Sequence, residues 1–153
     1  MSCEIYLETK IDVDVETLFS FHQDTKNLPL ITPKNIEVKL IELPAVFEEK
    51  SIVVLDISKW GITQRWEVEL HSIVCPTLIR DVALKSPFKH FVHDHIFQAL
   101  TPTSSMLCDK ITISLPLEPL SHLILPLIKK DIIAMFTYRQ KATKKILESI
   151  AIN

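Results

Sequence analysis

Glycine is almost missing from this chain, with Gly61 the only one in 153 residues. That excludes a Gly-rich phosphate loop, a G-x-S-x-G nucleophile elbow and Gly/Ser linkers. Cysteine is nearly as scarce. Cys3, Cys75 and Cys108 are far apart and form no C-x-x-C pair, so neither a disulfide framework nor a zinc ribbon is available, and all three are expected to be reduced and buried. No H-E-x-x-H occurs, and neither Cys75 nor Cys108 has an evident base beside it. Charge of one sign is lacking too: 17 Lys and Arg against 19 Asp and Glu generate no overall field that would recruit nucleic acid or an anionic membrane. No apolar run approaches the ~18 residues a membrane span needs, and the opening "MSCEIYLETK" has no apolar signal core. A cytoplasmic location follows as the expectation.

What the chain does have is apolar side chains, at 47% of residues. A globule of this size buries roughly 70% of the surface its unfolded form exposes, so one substantial core over residues 1–153 is expected, with apolar surface to spare for lining a cavity. No repeat or low-complexity tract divides the chain.

The periodicity changes twice. "CEIYLETKID" alternates as a first strand. "DVETLFSFHQD" follows as a helix, with Asp14 placed as N-cap and Leu18, Phe21 and His22 on one face. "NLPLITP" allows at most a second short helix, since Pro29 and Pro33 restrict the residues before them. Six short β-branched and aromatic segments come next, "NIEVKLIEL", "KSIVVLDIS", "ITQRWEVELHSI", "TLIRDVALKS", "KHFVHDHIFQAL" and "MLCDKITISL", separated by Pro, Gly, Asn or Ser. They predict an antiparallel meander, with Gly61 supplying positive φ in the "KWGIT" link. After Pro126, the residues Ile128, Ile132, Met135, Phe136, Arg139, Ala142, Ile146, Leu147 and Ile150 recur at three- and four-residue steps, the mark of a long amphipathic helix. A seven-stranded sheet with one long helix to cover it curls around that helix and leaves room for a cavity.

Within the meander, "HFVHDHIFQ" puts Phe91, His93, His95 and Phe97 on one face of a strand and His90, Val92, Asp94 and Ile96 on the other. The two aromatics assign the first set to the concave side. A hairpin register about "LTPTSS" places His93 opposite Asp109, and the "KSPF" turn can bring Asp81 to its other side. An H-x-H pair with a carboxylate could ligate a metal, but nothing else in the chain has motif spacing to complete the set, and neither metal nor cofactor is expected. Arg139, on the apolar face of the last helix, needs an anionic partner or a ligand. An ion pair with Asp109 or Asp81, clamping helix to sheet, is the expected solution. Lys130, Lys141, Lys144 and Lys145 give that helix a basic outer side, read as a solvated face that can visit a membrane surface transiently. Trp60 and Trp66 read as core or rim aromatics.

The element order, together with "FHQDTKNLPLITP", "RDVALKSPFKHFVHDHIF", "CDKITISLPLEPL" and "MFTYRQKA", resembles the START-like helix-grip superfamily, in its polyketide cyclase/dehydrase and lipid transport branch. The resemblance implies an α+β fold in which a curved seven-stranded antiparallel sheet wraps a long C-terminal helix, with two short helices after the first strand. It also implies a hydrophobic pocket. The expected function is binding of a hydrophobic small molecule, whether lipid, isoprenoid or polyketide-like, by Asp81, Phe91, His93, His95, Phe97, Leu107, Asp109, Ile111, Met135, Phe136 and Arg139. A cyclase or dehydratase using His93 or His95 with Asp81 or Asp109 as acid and base, and a protein-interaction module with a closed pocket, are the alternatives.

Overall fold

The structure is a computed structural model that describes residues 2–152. Strand β1 (Ser2–Ile11) leads into helix α1 (Val15–Gln23) and a 3-10 helix (Thr25–Ile31). Strands β2 (Ile36–Glu42), β3 (Ile52–Lys59), β4 (Ile62–Val74), β5 (Leu78–Lys85), β6 (His90–Thr101) and β7 (Ser104–Ser114) follow. A 3-10 turn at Leu120–Leu123 precedes the long helix α2 (Leu125–Ala151). All strand pairs are antiparallel and form a seven-stranded sheet in the order β1-β7-β6-β5-β4-β3-β2.

Local chemistry explains the boundaries. Asp14 accepts from the Thr17 backbone N–H at 2.8 Å and from its hydroxyl at 2.6 Å, satisfying an orphan donor at the start of α1. Pro126 sits in the first turn of α2, where its missing N–H costs nothing. Lys59 pairs with Ile62 across a two-residue turn in which Trp60 and Gly61 both have positive φ, 53° and 74°. Such a turn matches the right-handed twist of the strands it joins, and Gly61 takes its share without strain. In the β4–β5 ladder the register shifts between Glu67 and Val68 and again between Leu70 and Ser72, bulges of the kind that bend a sheet.

The sheet's concave side is closed in two places. At one end α1 packs Leu18 and Phe19 against Ile11, Ile79, Phe97 and Leu107. Along β1 and β7, α2 lays Ile132 and Phe136 on Ile5, Ile111 and Ile113. The line of α2 that goes deepest is Ile132, Phe136, Gln140, Thr143 and Leu147, a purer i, i+4, i+7 series than the apolar pattern alone gives, and Ile150 is exposed rather than facing the core. The expectation of three buried cysteines also needs correction. Only Cys108 is buried; Cys3 is half-buried and Cys75 is exposed in the β4–β5 turn, and all three are free thiols. Replacing Gly61 by Val, which resists positive φ, should cost about 1–2 kcal/mol, read as a lower urea midpoint at unchanged slope.

Candidate functional site

Between the curled sheet and α2 lies a cavity of about 510 Å³. The sheet supplies Val53, Leu55, Trp66, Leu70, Ile79 and Phe91. Helix α2 supplies Ile128, Ile132, Met135, Phe136, Arg139, Gln140 and Thr143, and the α1 end supplies Phe21, His22, Leu28 and Ile31. Trp66, Phe88 and Phe91 form an aromatic wall with ring centroids 5.2–5.8 Å apart. At the β3–β4 hairpin, Lys59, Trp60 and Ile62 line the cavity together with Ile128 and Asp131 of α2. Lys59 and Asp131 are ion-paired there, and Trp60 is 82% exposed.

Polar groups are concentrated in one patch of this apolar surface. His93 Nε2 donates to Asp109 Oδ1 at 2.6 Å, and Gln140 Nε2 donates to Asp109 Oδ2 at 2.7 Å. Gln140 also reaches the Leu7 carbonyl at 3.1 Å. His95 Nε2 donates to Asp81 Oδ2 at 3.0 Å. The His93 and His95 rings lie 3.8 Å apart, and His22, whose Nδ1 donates to the Leu18 carbonyl at 3.0 Å, stands 5.4 Å from His95.

Each ionisation state has a physical cause. Burial works against the Asp109 carboxylate, but the His93 hydrogen bond, the charges of the imidazoles and the Gln140 amide outweigh it and hold Asp109 well below the usual range. Burial and the neighbouring His95 lower His93, against the pull of Asp109. Burial would also lower His95, yet its hydrogen bond to Asp81 and the charges of Asp81 and Asp109 raise it. The patch therefore keeps a neutral His93 donating to an ionised Asp109, and directs any additional proton to His95. His22, desolvated and repelled by His95, is pushed down to about 4. Arg139 is lowered by burial to about 10, with Asp109 and Asp81 opposing.

Nine of the eleven residues expected at the site line the cavity: Asp81, Phe91, His93, His95, Leu107, Asp109, Met135, Phe136 and Arg139. Phe97 and Ile111 do not. Both face the concave side but are covered, Phe97 by Phe19 at 5.4 Å and Ile111 by Ile132 and Phe136. The expected backbone register is also off by two residues: Asp109 lies opposite His95, and His93 opposite Ile111 and Asp81. His93 reaches Asp109 diagonally. The clamp assigned to Arg139 belongs instead to Gln140, because no carboxylate among the described residues comes within 4 Å of the Arg139 guanidinium. Arg139 lies over the Phe136 ring at 5.0 Å with its buried Nε unpartnered. Asp81, His93 and His95 bring one donor atom each within 4.8 Å of one another; both Nε2 atoms in this group already serve internal hydrogen bonds. On the outer side of α2, Lys144 is tied to the Lys10 carbonyl and to Glu148.

Gln140→Leu removes a donor shared by two acceptors and should destabilise the fold by about 1–3 kcal/mol, measurable in chemical unfolding. The histidines shape the pH dependence. Between pH 6.5 and about 4 the unfolded chain binds a proton at His22 that the folded chain refuses, so stability falls as pH drops through that window, by on the order of 3 kcal/mol. His22→Gln should flatten this acid flank. His95 has the opposite sign: its contribution is full below its unfolded pKa and is lost as pH rises through its raised folded value. His95→Gln should flatten the alkaline flank instead.

No protein-family model matches the sequence, and no curated protein matches it. Solved structures do match its shape. A START superfamily protein from Mycobacterium smegmatis superposes with a TM-score of 0.74 at 16% identity, covering 96% of this chain and 98% of its own. A protein from Thermus thermophilus gives 0.76 at 14%, covering 97% and 99%. A point mutant of norcoclaurine synthase from Thalictrum flavum gives 0.75 at 10%, covering 99% and 97%. With its seven-stranded antiparallel sheet curled against one long C-terminal helix, this chain has the START-like helix-grip fold.

Proposed function

We propose that the protein binds a hydrophobic small molecule in the cavity between sheet and α2. The observation that carries this reading is the cavity itself: about 510 Å³ walled mainly by aliphatic and aromatic side chains, with a few converging polar groups at one patch. That is the size and composition of small-molecule sites in general. A solid core would have been the more stable use of the same residues, since unfilled volume forfeits packing contacts. START-like folds commonly bind hydrophobic ligands, and norcoclaurine synthase of the same shape has been solved with dopamine and hydroxybenzaldehyde. No helix of the described chain is long and apolar enough to cross a membrane. A closed interaction module is disfavoured by the open volume.

The second reading, acid-base catalysis, draws on one specific feature. His95 and Asp81 form a hydrogen-bonded pair in the cavity wall in which neither His95 Nδ1, 3.6 Å from Asp109 Oδ1, nor Asp81 Oδ1 makes a hydrogen bond, leaving a proton donor or acceptor available to a bound molecule.

Native mass spectrometry of the purified protein, followed by denaturation and organic extraction, should release an apolar compound, or the empty protein should take up Nile red. Met135→Trp, which fills the cavity from α2, should abolish uptake while leaving the fold intact by circular dichroism. A wild-type protein that neither carries nor takes up any apolar compound contradicts the binding reading. His95→Leu should weaken a polar-headed guest more than a plain hydrocarbon of equal length, the walls being unchanged.

A further inference from the structure

Three buried polar atoms in the wall of this cavity can donate a hydrogen bond and have no partner: Arg139 Nε, Trp66 Nε1 and Thr143 Oγ1; His95 Nδ1, also without a hydrogen bond, faces Asp109 Oδ1 at 3.6 Å. Orphan donors in a buried wall are costly, and a guanidinium is the costliest to leave without a counter-ion. Neither carboxylate of the patch comes within 4 Å of Arg139, although Asp81 Oδ1 is buried without a partner of its own. Both oxygens of Asp109 are taken by His93 and Gln140, and Asp81 gives one oxygen to His95. Arg139 itself is held in place from below by the Phe136 ring, a cation–π contact that orients a guanidinium without neutralising it.

We propose that the cavity selects an amphipathic guest with a single anionic head, a carboxylate, seated on Arg139, its apolar body lying along the aromatic wall of Phe91, Phe88 and Trp66. The proposal rests on the binding reading above and adds the guest's head group to it. The charge count on the wall restricts the head to a monoanion. Arg139 and the histidines are the only cationic side chains lining the cavity among the described residues apart from Lys59, which is held by Asp131 in an ion pair. A phosphate dianion would find one guanidinium and two nearby carboxylates. A carboxylate matches the guanidinium fork in charge and shape. Of the other orphan donors, Trp66 Nε1 belongs to the aromatic wall with Phe88 and Phe91, where a carbonyl or ether oxygen along the guest's body could accept from it.

The test uses matched pairs of equal chain length, octanoate with octanol and dodecanoate with dodecanol, competing against Nile red, a neutral probe that makes no demand on Arg139. The carboxylate of at least one pair should bind about tenfold or more tightly than its alcohol, the size expected of a hydrogen bond to a charged group. In Arg139→Met this preference should fall below about threefold, through loss of carboxylate affinity. Arg139→Lys should retain part of it. Because the Arg139 Nε has no partner to abandon, Arg139→Met without ligand should melt no lower than wild type, which separates lost binding from lost folding. Equal affinities within both pairs in the wild type would overturn the head-group assignment and leave the binding reading standing. A preference that survives in Arg139→Met would place the anion elsewhere. Failure of Nile red and of all four compounds to bind would sink both readings together.

Discussion

A single buried carboxylate sets the geometry on which this structure depends. Asp109, at 4% exposure, carries charge where water is absent, and such a charge persists only when every lone pair in reach is matched. Its two oxygens draw one donor from β6 and one from α2, and the α2 donor, Gln140, also holds the Leu7 carbonyl of β1. Three elements distant in sequence are thereby tied at one point. The rotation of α2 about its axis follows, because a Gln140 aimed down at the sheet brings Phe136, Thr143 and Leu147 down with it.

The cavity is a consequence of the same constraint. Helix α2 is fastened over β1 and β7, on one side of a seven-stranded sheet. The concave faces of β3 and β4 lie away from that line, and their side chains, Val53, Leu55, Trp66 and Leu70, pack on one another, on Phe88 and Phe91, and on Leu28 and Phe47. Apolar surface that would elsewhere be core becomes wall.

Most of the fold was legible in the sequence because its two periods are clean. Alternation marked the strands, three- and four-residue spacing marked α2, and the lone glycine marked the tightest turn. The inward face of β6 was legible for a further reason. The misplaced β6–β7 register was wrong by two residues, an even number, and an even slip leaves every side chain on its own side of the sheet. What periodicity did not show was which inward residues are covered. Phe97 and Ile111 alternate as correctly as His93 and His95, and only the placement of α1 and α2, set by long-range packing, removes them from the cavity. Gln140 escaped notice because an uncharged polar residue on a helix ordinarily faces water, and Arg139, its neighbour, offered a more obvious partner for a carboxylate. His22 carried a signal in the sequence: it shares a face with Leu18, which placed it inward.

The two ends of the molecule are fastened by bonds of different kinds. At the inner end the joint is a desolvated carboxylate, indifferent to salt. At the outer end the β3–β4 hairpin meets α2 through Lys59 and Asp131, whose side chains are 20% and 53% exposed; ion pairs so placed are weak and are screened by dissolved ions. The hairpin tip is thus joined to α2 by a contact that dissolved ions weaken, and Trp60 rides on it beside Lys59, 4.5 Å from its ammonium. Raising the ionic strength therefore loosens the outer fastening of α2 to the sheet and leaves the inner one untouched, so one helix is held by two joints that answer differently to the same salt.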